Sequence, residues 1–474
     1  MRWLAWLLVS VPALADTGSA ACAPCHREIY EQQRRSGMAR SSGPVGDGLE
    51  RFGAFRAGGV AYRVSPDFAV DFGKGTFAMR WYIGSGTVGR SYAGLVDGFL
   101  FQSPASYFAA RGEWGLSPGY STKPFVDVAR PIESACLQCH ASGARVAAGT
   151  ANLYPDPPFA EGGVSCERCH GAGNEHVARR GPIVNPAKLA PARRDSVCLQ
   201  CHLTGAARVA RPGRGPETFR AGDLLGDHVM VFMWSRAGGE RTATDHAEQL
   251  ARSKCRQAAG EKLWCGTCHD AHAGSTRAAA CLDCHQPHER GGADCAGCHM
   301  PKGRSREGEH VVFTDHTIAR RPGRATGPRV MQPFPGMAAT ERDWALAERR
   351  LPLLEKLAAR PDADAALLVQ LAQLYDANGK GAPLYERALR LEPANATAMA
   401  NLGIYRMQAG RAREALALWT RVFEKNPGML AVGLNLALGH AETGDKDAAT
   451  ATLRRVLRFH PDSAQARDLL GKLR

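Results

Sequence analysis

The chain has 474 residues, a formal net charge of +14 and 15 cysteines. Its length predicts two or three domains, and no stretch after the N-terminal segment is apolar enough to span a membrane. The spacing of the cysteines excludes a disulfide framework, which is the usual explanation for so many cysteines in an exported protein.

The first 15 residues have the pattern of a secretory signal peptide. Arg2 precedes a short apolar run that ends at Val11, and residues 13–15 form a small-x-small cleavage site. The run is well short of the ~20 residues that a membrane span needs, which argues against an uncleaved anchor. We therefore expect residues 1–15 to be removed and the mature protein to be periplasmic or otherwise exported, with no membrane span.

Fourteen of the 15 cysteines follow one pattern. Two residues separate the cysteines of each pair, a histidine follows each pair directly, and only Cys255 lies outside the pattern. The pairs are Cys22/Cys25, Cys136/Cys139, Cys166/Cys169, Cys198/Cys201, Cys265/Cys268, Cys281/Cys284 and Cys295/Cys298, and the histidines are His26, His140, His170, His202, His269, His285 and His299. Cys-x-x-Cys-His is the signature of c-type haem attachment.

The spacing suits that chemistry. Residues i, i+3 and i+4 share one face of a helical turn, so both thiols reach one porphyrin edge and the histidine lies under the iron. Zinc sites also use Cys-x-x-Cys pairs, but zinc does not require a histidine after every pair. We therefore predict seven covalently attached c-type haems with the seven histidines as proximal ligands. Their propionates carry about 14 negative charges, so the basic residues indicate propionate partners and not nucleic-acid binding.

The remaining histidines are candidates for the other side of each iron. An iron with two strong ligands relays electrons, whereas an iron with an open position is available for chemistry. Outside the motifs and the C-terminal region there are seven: His176, His228, His246, His272, His288, His310 and His316. Seven spare histidines for seven haems predict mostly bis-histidine ligation. Because His272 closely follows His269, it must ligate a neighbouring haem, which brings haems together.

The first motif differs from the others, because no histidine occurs between His26 and His140. Met38 lies 12 residues after His26, and a thioether is a reasonable haem ligand. Met38 is either a ligand of the first iron or an ordinary packing residue. In the first case one histidine is spare, and in the second case one haem can still be open.

A haem-free stretch after the first motif has strand periodicity. In "GVAYRV", "DFAVDFG" and "GTFAMRWYIGSG", apolar residues alternate between glycine turns, which predicts a small antiparallel β unit at about residues 50–110. The stretch "GSGTVG" at residues 84–89 matches a dinucleotide-binding pattern. The sequence after it is too aromatic and glycine-rich for the helix that such a site needs, so a β-turn is the better interpretation.

The next region contains six motifs within a short segment of the chain. From Cys136 to Lys302 there are 167 residues, or about 28 per haem, which predicts a core made of porphyrins wrapped by short helices and loops. Cys255 in this region is interpreted as a structural thiol, with a redox or substrate-binding thiol as the alternative.

The C-terminal third differs in composition, because it is rich in alanine and leucine. A Pro/Gly-rich linker is predicted at residues 321–340. Beyond it, Pro361, Pro393, Pro427 and Pro461 are spaced by 32, 34 and 34 residues. This is the tetratricopeptide period, and it predicts about three repeats plus a final helix at residues 341–474. Such repeats usually bind a partner surface. The alternative is that the repeats of this chain only pack on the haem region.

The haem region resembles the multihaem cytochromes related to the ammonia-oxidiser tetrahaem cytochrome and to hydroxylamine oxidoreductase. The resemblance covers roughly residues 20–320 and is carried by "CAPCHREIY", "CERCHGAGNEH", "CGTCHDAH" and "CAGCHMPK" with "TDHTI". It implies that His176, His246, His272 and His316 are distal ligands. The chain departs from the group in having Met38 where a histidine is usual, seven motifs and no Cys-x-x-Cys-Lys motif.

The sequence therefore predicts a mainly α protein. Residues 16–130 carry the first motif and the β insertion, residues 131–320 form a six-haem domain with little regular structure, and residues 341–474 form an α-solenoid. We expect an electron carrier with redox protein partners docked by the repeats. The alternative is a multihaem oxidoreductase that acts on a small nitrogen or sulfur compound at one five-coordinate haem.

Overall fold

A computed structural model describes residues 17–120, 130–236, 242, 244–286, 294–305, 312–320 and 328–473. The predicted signal peptide at residues 1–15 lies outside the described residues, as do His288 and His310. Within the described ranges, no helix is both long enough and apolar enough to cross a membrane.

The N-terminal part is dominated by strands. A short 3-10 helix, Ser19–Cys22, and helix α1, Arg27–Arg35, precede them. The strands are β1 Ser42–Pro44, β2 Gly53–Ala57, β3 Val60–Val64, β4 Ala69–Asp71, β5 Thr76–Ala78, β6 Trp81–Ile83, β7 Arg90–Val96, β8 Phe99–Phe108 and β9 Glu113–Leu116. They form two antiparallel sheets with the orders β1-β6-β7-β8-β9 and β2-β3-β4-β5. The β insertion is therefore larger than the small unit that the sequence predicts.

Alternating side chains create the core of this part. Tyr62, Phe77 and Tyr92 are buried in one cluster that both sheets supply. Gly94 is required at the contact between β7 and β5, because a Cβ there would collide with the Ala78 carbonyl oxygen. Residues 84–89 connect β6 to β7, so a strand follows the glycine-rich turn where a dinucleotide site needs a helix.

Short helices carry the haem motifs in the central part. The helices are α2 Ser134–His140, α3 Glu167–His170, α4 Asn174–Arg179, α5 Pro191–His202, α6 His246–Arg252, α7 Lys254–Ala259, α8 Cys265–Cys268 and α9 Cys295–His299. The strands are β10 Ala141–Ser142, β11 Glu161–Gly162, β12 Ala207–Ala210, β13 Val229–Trp234, β14 His269–Asp270, β15 Ser275–Thr276, β16 Lys302–Arg304, β17 Val312–Thr314 and β18 Met331–Pro333.

This part has a conventional core, contrary to the prediction of a purely porphyrin core. Strands β12, β13 and β18 form one sheet, and Leu203, Phe219, Leu225, Val231 and Phe334 are buried in a cluster beside it. Strand β18 lies in the predicted linker at 321–340. The described part of that segment therefore pairs with β13 and is not a free connection, because its apolar residues join this core.

Helices form the C-terminal part. They are α10 Glu341–Glu348, α11 Leu351–Ala358, α12 Ala365–Tyr375, α13 Ala382–Leu391, α14 Ala396–Gln408, α15 Ala412–Lys425, α16 Leu430–Glu442, α17 Lys446–Phe459 and α18 Ala464–Leu473. Helices α12–α17 form three pairs, and α18 ends the array. Small residues permit the close packing, since a Cβ at Gly403 would collide with the indole ring of Trp419. The predicted tetratricopeptide solenoid is confirmed.

The last repeat packs into the N-terminal sheets. Phe459 is fully buried among their core residues, with its ring centre 5.5 Å from that of Phe101. Lys74 Nζ lies 2.8 Å from Asp462 Oδ1, and the Asp462 side chain is only 5% exposed. The C-terminal end of the solenoid is therefore fixed to the β insertion.

The first solenoid helix packs on the central sheet. The ring centres of Trp344 and Phe232 are 4.5 Å apart, and Arg211 forms an ion pair with the buried carboxylate of Asp343. The solenoid thus contacts the remainder of the protein at both of its ends.

Candidate haem-binding site

The seven Cys-x-x-Cys-His motifs each form one helical turn. The backbone N–H of the motif histidine donates to the carbonyl oxygen of the first cysteine in the first, third and sixth motifs, with N–O distances of 2.9, 3.0 and 3.0 Å. The second, fourth, fifth and seventh motifs lie within or directly at the end of α2, α5, α8 and α9. The helical turn that places two thiols and one imidazole on a common face is therefore present.

Four motif histidines face a histidine from elsewhere in the chain. The pairs and the distances between their ring centres are His26/His176, 6.3 Å, His170/His272, 6.0 Å, His269/His316, 6.1 Å, and His202/His246, 5.7 Å. The first three pairs are near parallel, with interplanar angles of 15°, 7° and 21°. Because metal–imidazole bonds are about 2 Å long, two imidazoles on opposite sides of one metal ion have ring centres about 6 Å apart.

Backbone carbonyls orient several of these rings. The Nδ1 atoms of His170, His176, His299 and His316 lie 2.8, 2.7, 3.0 and 2.8 Å from the carbonyl oxygens of Val184, Gly181, Ala319 and Thr314. A neutral imidazole that donates from Nδ1 keeps the lone pair of Nε2 for a metal ion. These bonds therefore fix the tautomer that haem iron requires.

Burial keeps most of the facing rings neutral. Burial and the neighbouring His316 and His202 rings lower the pKa of His246 to about 3. Burial is also the main cause that lowers the pKa values of His170, His202 and His269. The neutral imidazole is the form that binds metal. Paired thiols and facing neutral imidazoles together fit a c-type haem with two histidine ligands.

Thiols of different motifs lie side by side. Burial and the Cys166 thiol raise the pKa of Cys22 to about 11. Three further pairs of thiols behave in the same way. The Cys139 thiol raises the pKa of Cys201, and the Cys265 thiol raises that of Cys198. Burial and the Cys295 thiol raise the pKa of Cys281. Cys169 lies near Cys198 and Cys201, and Cys268 lies near Cys281. Cys255 lies near Cys268 and Cys281. The thiols of different motifs are therefore neighbours in the fold.

Four of the cysteines predicted to attach haem are exposed. The exposed residues are Cys25, Cys136, Cys284 and Cys298. The other cysteine of each of these motifs is half-buried because it adjoins a thiol of another motif; these are Cys22, Cys139, Cys281 and Cys295. One thiol of the first, second, sixth and seventh motifs therefore lies at the surface, and haem attachment through it stays a prediction.

The fourth and fifth motifs also approach each other through their distal histidines. The ring centres of His246 and His316 are 4.6 Å apart. Gln249, on the same helix as His246, accepts the backbone N–H of His316 at 2.7 Å. Helix α6 therefore positions two distal histidines, a role for Gln249 that its sequence position alone does not reveal.

Both ring nitrogens of His228 have protein partners, which argues against its predicted role as an iron ligand. Its Nδ1 lies 2.7 Å from Thr218 Oγ1, and its Nε2 lies 3.1 Å from Asp223 Oδ2. The residue is buried, and its ring packs edge-on against Phe219. With both ring nitrogens engaged, His228 is a packing residue of the central core.

Met38 does not occupy the place opposite His26, because His176 faces that ring. The Met38 carbonyl accepts the backbone N–H of Val164 at 2.9 Å and the Ser41 hydroxyl at 2.7 Å. The structure therefore favours the packing interpretation of Met38. The first motif obtains its second histidine from the chain after the third motif, which is a tertiary contact.

His140 has a different environment. Among the residues that the structure describes, no histidine ring faces it, and its Nδ1 is buried without a hydrogen-bond partner. Burial lowers its pKa. Close to the same motif, the buried Tyr154 hydroxyl also has no partner, and burial together with Cys136 raises the pKa of Tyr154. The Nδ1 atom of the second-motif imidazole is therefore buried without a protein partner, and no histidine ring faces this imidazole within the described residues.

The fold and these donors define a class, the c-type cytochromes with tetratricopeptide repeats. Residues 121–171 match the family model for cytochrome c554 and c-prime, and residues 406–473 match a tetratricopeptide repeat family. The first match contains the second and third haem motifs and implies c-type haem. These two matches support a haem electron-transfer role and repeats that serve protein–protein interaction.

Known proteins are similar to limited parts of the chain. The FK506-binding protein-like protein of Rattus norvegicus is 34% identical over 97 residues, which are 19% of this chain and 28% of that protein. A solved MamA mutant is 24% identical and covers 28% of this chain and 83% of its own, with a TM-score of 0.26. YrrB, described as a TPR protein with an unusual peptide-binding site, is 19% identical, covers 27% of this chain and 69% of its own, and has a TM-score of 0.24.

Proposed function

We propose that the protein is an exported, periplasmic cytochrome with seven c-type haems that passes electrons along a haem chain. The observation that carries the proposal is the set of four facing histidine pairs, each of which joins a motif histidine to a distal one. An iron held by two histidines cycles between its two oxidation states without an open position. The protein's part is to hold and orient these ligands.

The adjoining cysteines support an order of electron transfer that differs from the order of the motifs. The first motif adjoins the third, and the fourth adjoins the fifth. The third also contacts the fourth, because Arg168 donates to Gln200 Oε1 at 2.9 Å. The sixth lies next to the fifth and the seventh next to the sixth, while the second adjoins the fourth. The path is therefore a chain with the second haem as a side branch.

The tetratricopeptide repeats supply the docking function in this proposal. Both ends of the solenoid are fixed to the haem-bearing part, so a redox protein bound to the repeats is held at a defined distance from the haem chain. Cross-linking of the full-length protein to candidate redox partners tests this. Cross-links from the exposed Lys380 and Lys446 of the solenoid are expected, and cross-links confined to residues 17–320 would contradict docking by the repeats.

Haem content and spin state test the electron-transfer proposal. The intact mass of the mature protein is expected to exceed that of the polypeptide by seven haems. Ferric electron paramagnetic resonance is expected to show mainly low-spin signals, because bis-histidine iron is six-coordinate. A smaller haem content, or high-spin signals from several haems, would contradict the proposal.

A second function is favoured by the count of histidines. Once His228 is assigned to packing, six non-motif histidines remain outside the solenoid for seven irons. Among the residues that the structure describes, no histidine ring faces His140, and its Nδ1 is buried without a hydrogen-bond partner. A high-spin signal of about one haem per chain would support a multihaem oxidoreductase that acts there on a small nitrogen or sulfur compound. Oxidation or reduction of such compounds, followed by the haem absorbance, tests that activity.

A further inference from the structure

Three consecutive backbone N–H groups near the start of the described chain point at two carboxylates. The N–H of Thr17 donates to Glu167 Oε1 at 3.1 Å, and the N–H of Gly18 donates to Glu167 Oε2 at 2.9 Å. The N–H of Ser19 donates to Glu161 Oε2 at 2.9 Å. Hydrogen bonds to an ionised carboxylate are stronger than those between neutral groups, so the segment is held by its backbone.

Glu167 and Ser19 each accept a further hydrogen bond from a backbone N–H group. Glu167 and Ser19 are both buried, and Glu167 Oε1 also accepts the N–H of Gly173 at 2.7 Å. The Ser19 hydroxyl accepts the N–H of Cys166 at 3.1 Å. Gly18 has a φ of +81°, a conformation that glycine adopts without strain, and this turn aims its N–H and that of Ser19 at different carboxylates.

The segment leads directly into the first haem motif. Cys22 lies beside Cys166, the first cysteine of the third motif, and Glu167 is the next residue after Cys166. Four residues beyond Cys22, His26 faces His176, which lies on α4 just after the third motif. Both sides of the first haem site therefore depend on how the N-terminal segment is seated on the third motif.

We propose that Glu167 and Glu161 are positioning residues that fasten residues 17–19 to the third motif and thereby set the contact between the haems attached at the first and third motifs. The proposal rests on the proposed haem loading, but the backbone clamp itself involves only residues of the chain. Neither carboxylate contacts the iron ligands, so their effect is on distance and order.

Amide exchange and electron paramagnetic resonance test this in the full-length holo protein. In Glu167→Ala, the amides of Thr17 and Gly18 are expected to exchange at least tenfold faster, because both lose their acceptor. The magnetic interaction between the first and third ferric haems is expected to weaken. Glu161→Ala frees only the Ser19 amide and is expected to give the smaller effect. Glu28→Ala removes an exposed carboxylate of α1 near the same motif and is expected to change neither quantity.

The outcomes separate this inference from the proposed function. Unchanged exchange in both Glu167→Ala and Glu161→Ala would overturn the clamp. Faster exchange with an unchanged haem–haem interaction would overturn the positioning role. If Glu167→Ala fails to mature, Glu161→Ala decides by the same two readouts. A wild-type protein with too few haems would contradict the proposed function, whereas wild-type exchange at residues 17–19 would still report on the clamp.

Discussion

At the scale of single residues, the distal histidines make separable contributions. His272→Ala removes the ring that faces His170, while Cys166 and Cys169, through which we propose that haem is attached, remain. We expect a new high-spin signal of about one haem per chain and an unchanged haem content. Electron paramagnetic resonance and intact mass measure both.

His228→Ala is the matched control, because this histidine is buried but has both ring nitrogens engaged by Thr218 and Asp223. Its spectrum is expected to equal that of the wild type. A high-spin signal in His228→Ala, or none in His272→Ala, would contradict the ligand assignment.

A buried charge cluster stabilises the β insertion. Arg90 donates to both carboxylate oxygens of Asp47 at 2.7 Å and to Glu50 at 3.2 Å. The side chains of Arg90 and Glu50 are only 4% and 1% exposed. Arg90→Gln leaves the Glu50 carboxylate buried without a cation, so we expect it to lower the free energy of unfolding by about 3 kcal/mol at pH 7. Urea unfolding measures this, with the exposed Arg56→Gln expected to have no effect.

The same substitution has a predictable pH dependence. The hydrogen bond from Arg90 is the main cause that lowers the pKa of Asp47. A lowered folded-state pKa contributes stability that is present above the unfolded pKa and is lost as the pH falls through the folded one. The stability difference between wild type and Arg90→Gln should therefore persist down to about pH 5 and shrink as the pH falls below 3.8, the ordinary pKa of an aspartate. An equal difference above and below this range would contradict a charge-based role for Arg90.

Sequence spacing identifies the motif residues, because two thiols and a histidine on one turn are a local feature. The facing pairs are not local. His26 is separated from His176 by 150 residues, and only the seating of the N-terminal segment on the third motif brings them together. For His228, the sequence does not distinguish a buried histidine with two hydrogen bonds from a ligand, since the partners Thr218 and Asp223 approach through the local fold.

The motif pattern also does not predict which individual thiols are exposed. Cys25, Cys284 and Cys298 have the same local sequence role as the half-buried Cys169 and Cys201. Their exposure depends on which other motifs pack beside them, and that is decided by tertiary contacts between distant parts of the chain.

At the scale of elements, the last solenoid helix pair is part of the N-terminal core. Phe459 is 0% exposed within the core of the two sheets, so Phe459→Ala leaves a cavity that surrounding side chains fill only in part. We expect a loss of about 3–5 kcal/mol in the free energy of unfolding. Leu391→Ala, at a residue that is 53% exposed, is the control with little expected change. Urea unfolding followed by far-ultraviolet circular dichroism measures both, and equal losses would contradict the packing of α17 on the sheets.

Periodicity predicts the elements whose side chains alternate or repeat clearly. Strands β3 and β5 and the helix pairs of the solenoid follow such patterns. Strand β1, with the sequence Ser-Gly-Pro, has no alternation and forms only by pairing with β6. Strand β18 lies in a Pro/Gly-rich stretch that reads as a linker, and pairing with β13 decides its structure. Tertiary pairing therefore defines the elements that the local pattern does not.

At the scale of the whole molecule, the solenoid, which we propose as the docking element, is also a structural element. Deleting residues 341–474 removes Trp344 from the central sheet and Phe459 from the N-terminal core. We expect the remaining chain to be markedly less stable to urea than the full protein, while any remaining low-spin haem signals keep their positions. Unchanged stability would contradict structural integration of the repeats. Partner docking is therefore better tested by cross-linking the intact chain than by deletion.

The most direct test of haem-based electron transfer is quantitative ferric electron paramagnetic resonance on protein whose haem content is fixed by intact mass. The Cys-x-x-Cys-His motifs predict seven haems per chain, and the facing histidine pairs predict low-spin signals for at least the four paired irons. High-spin signals from most of the haems, or a mass without attached haem, would contradict the account.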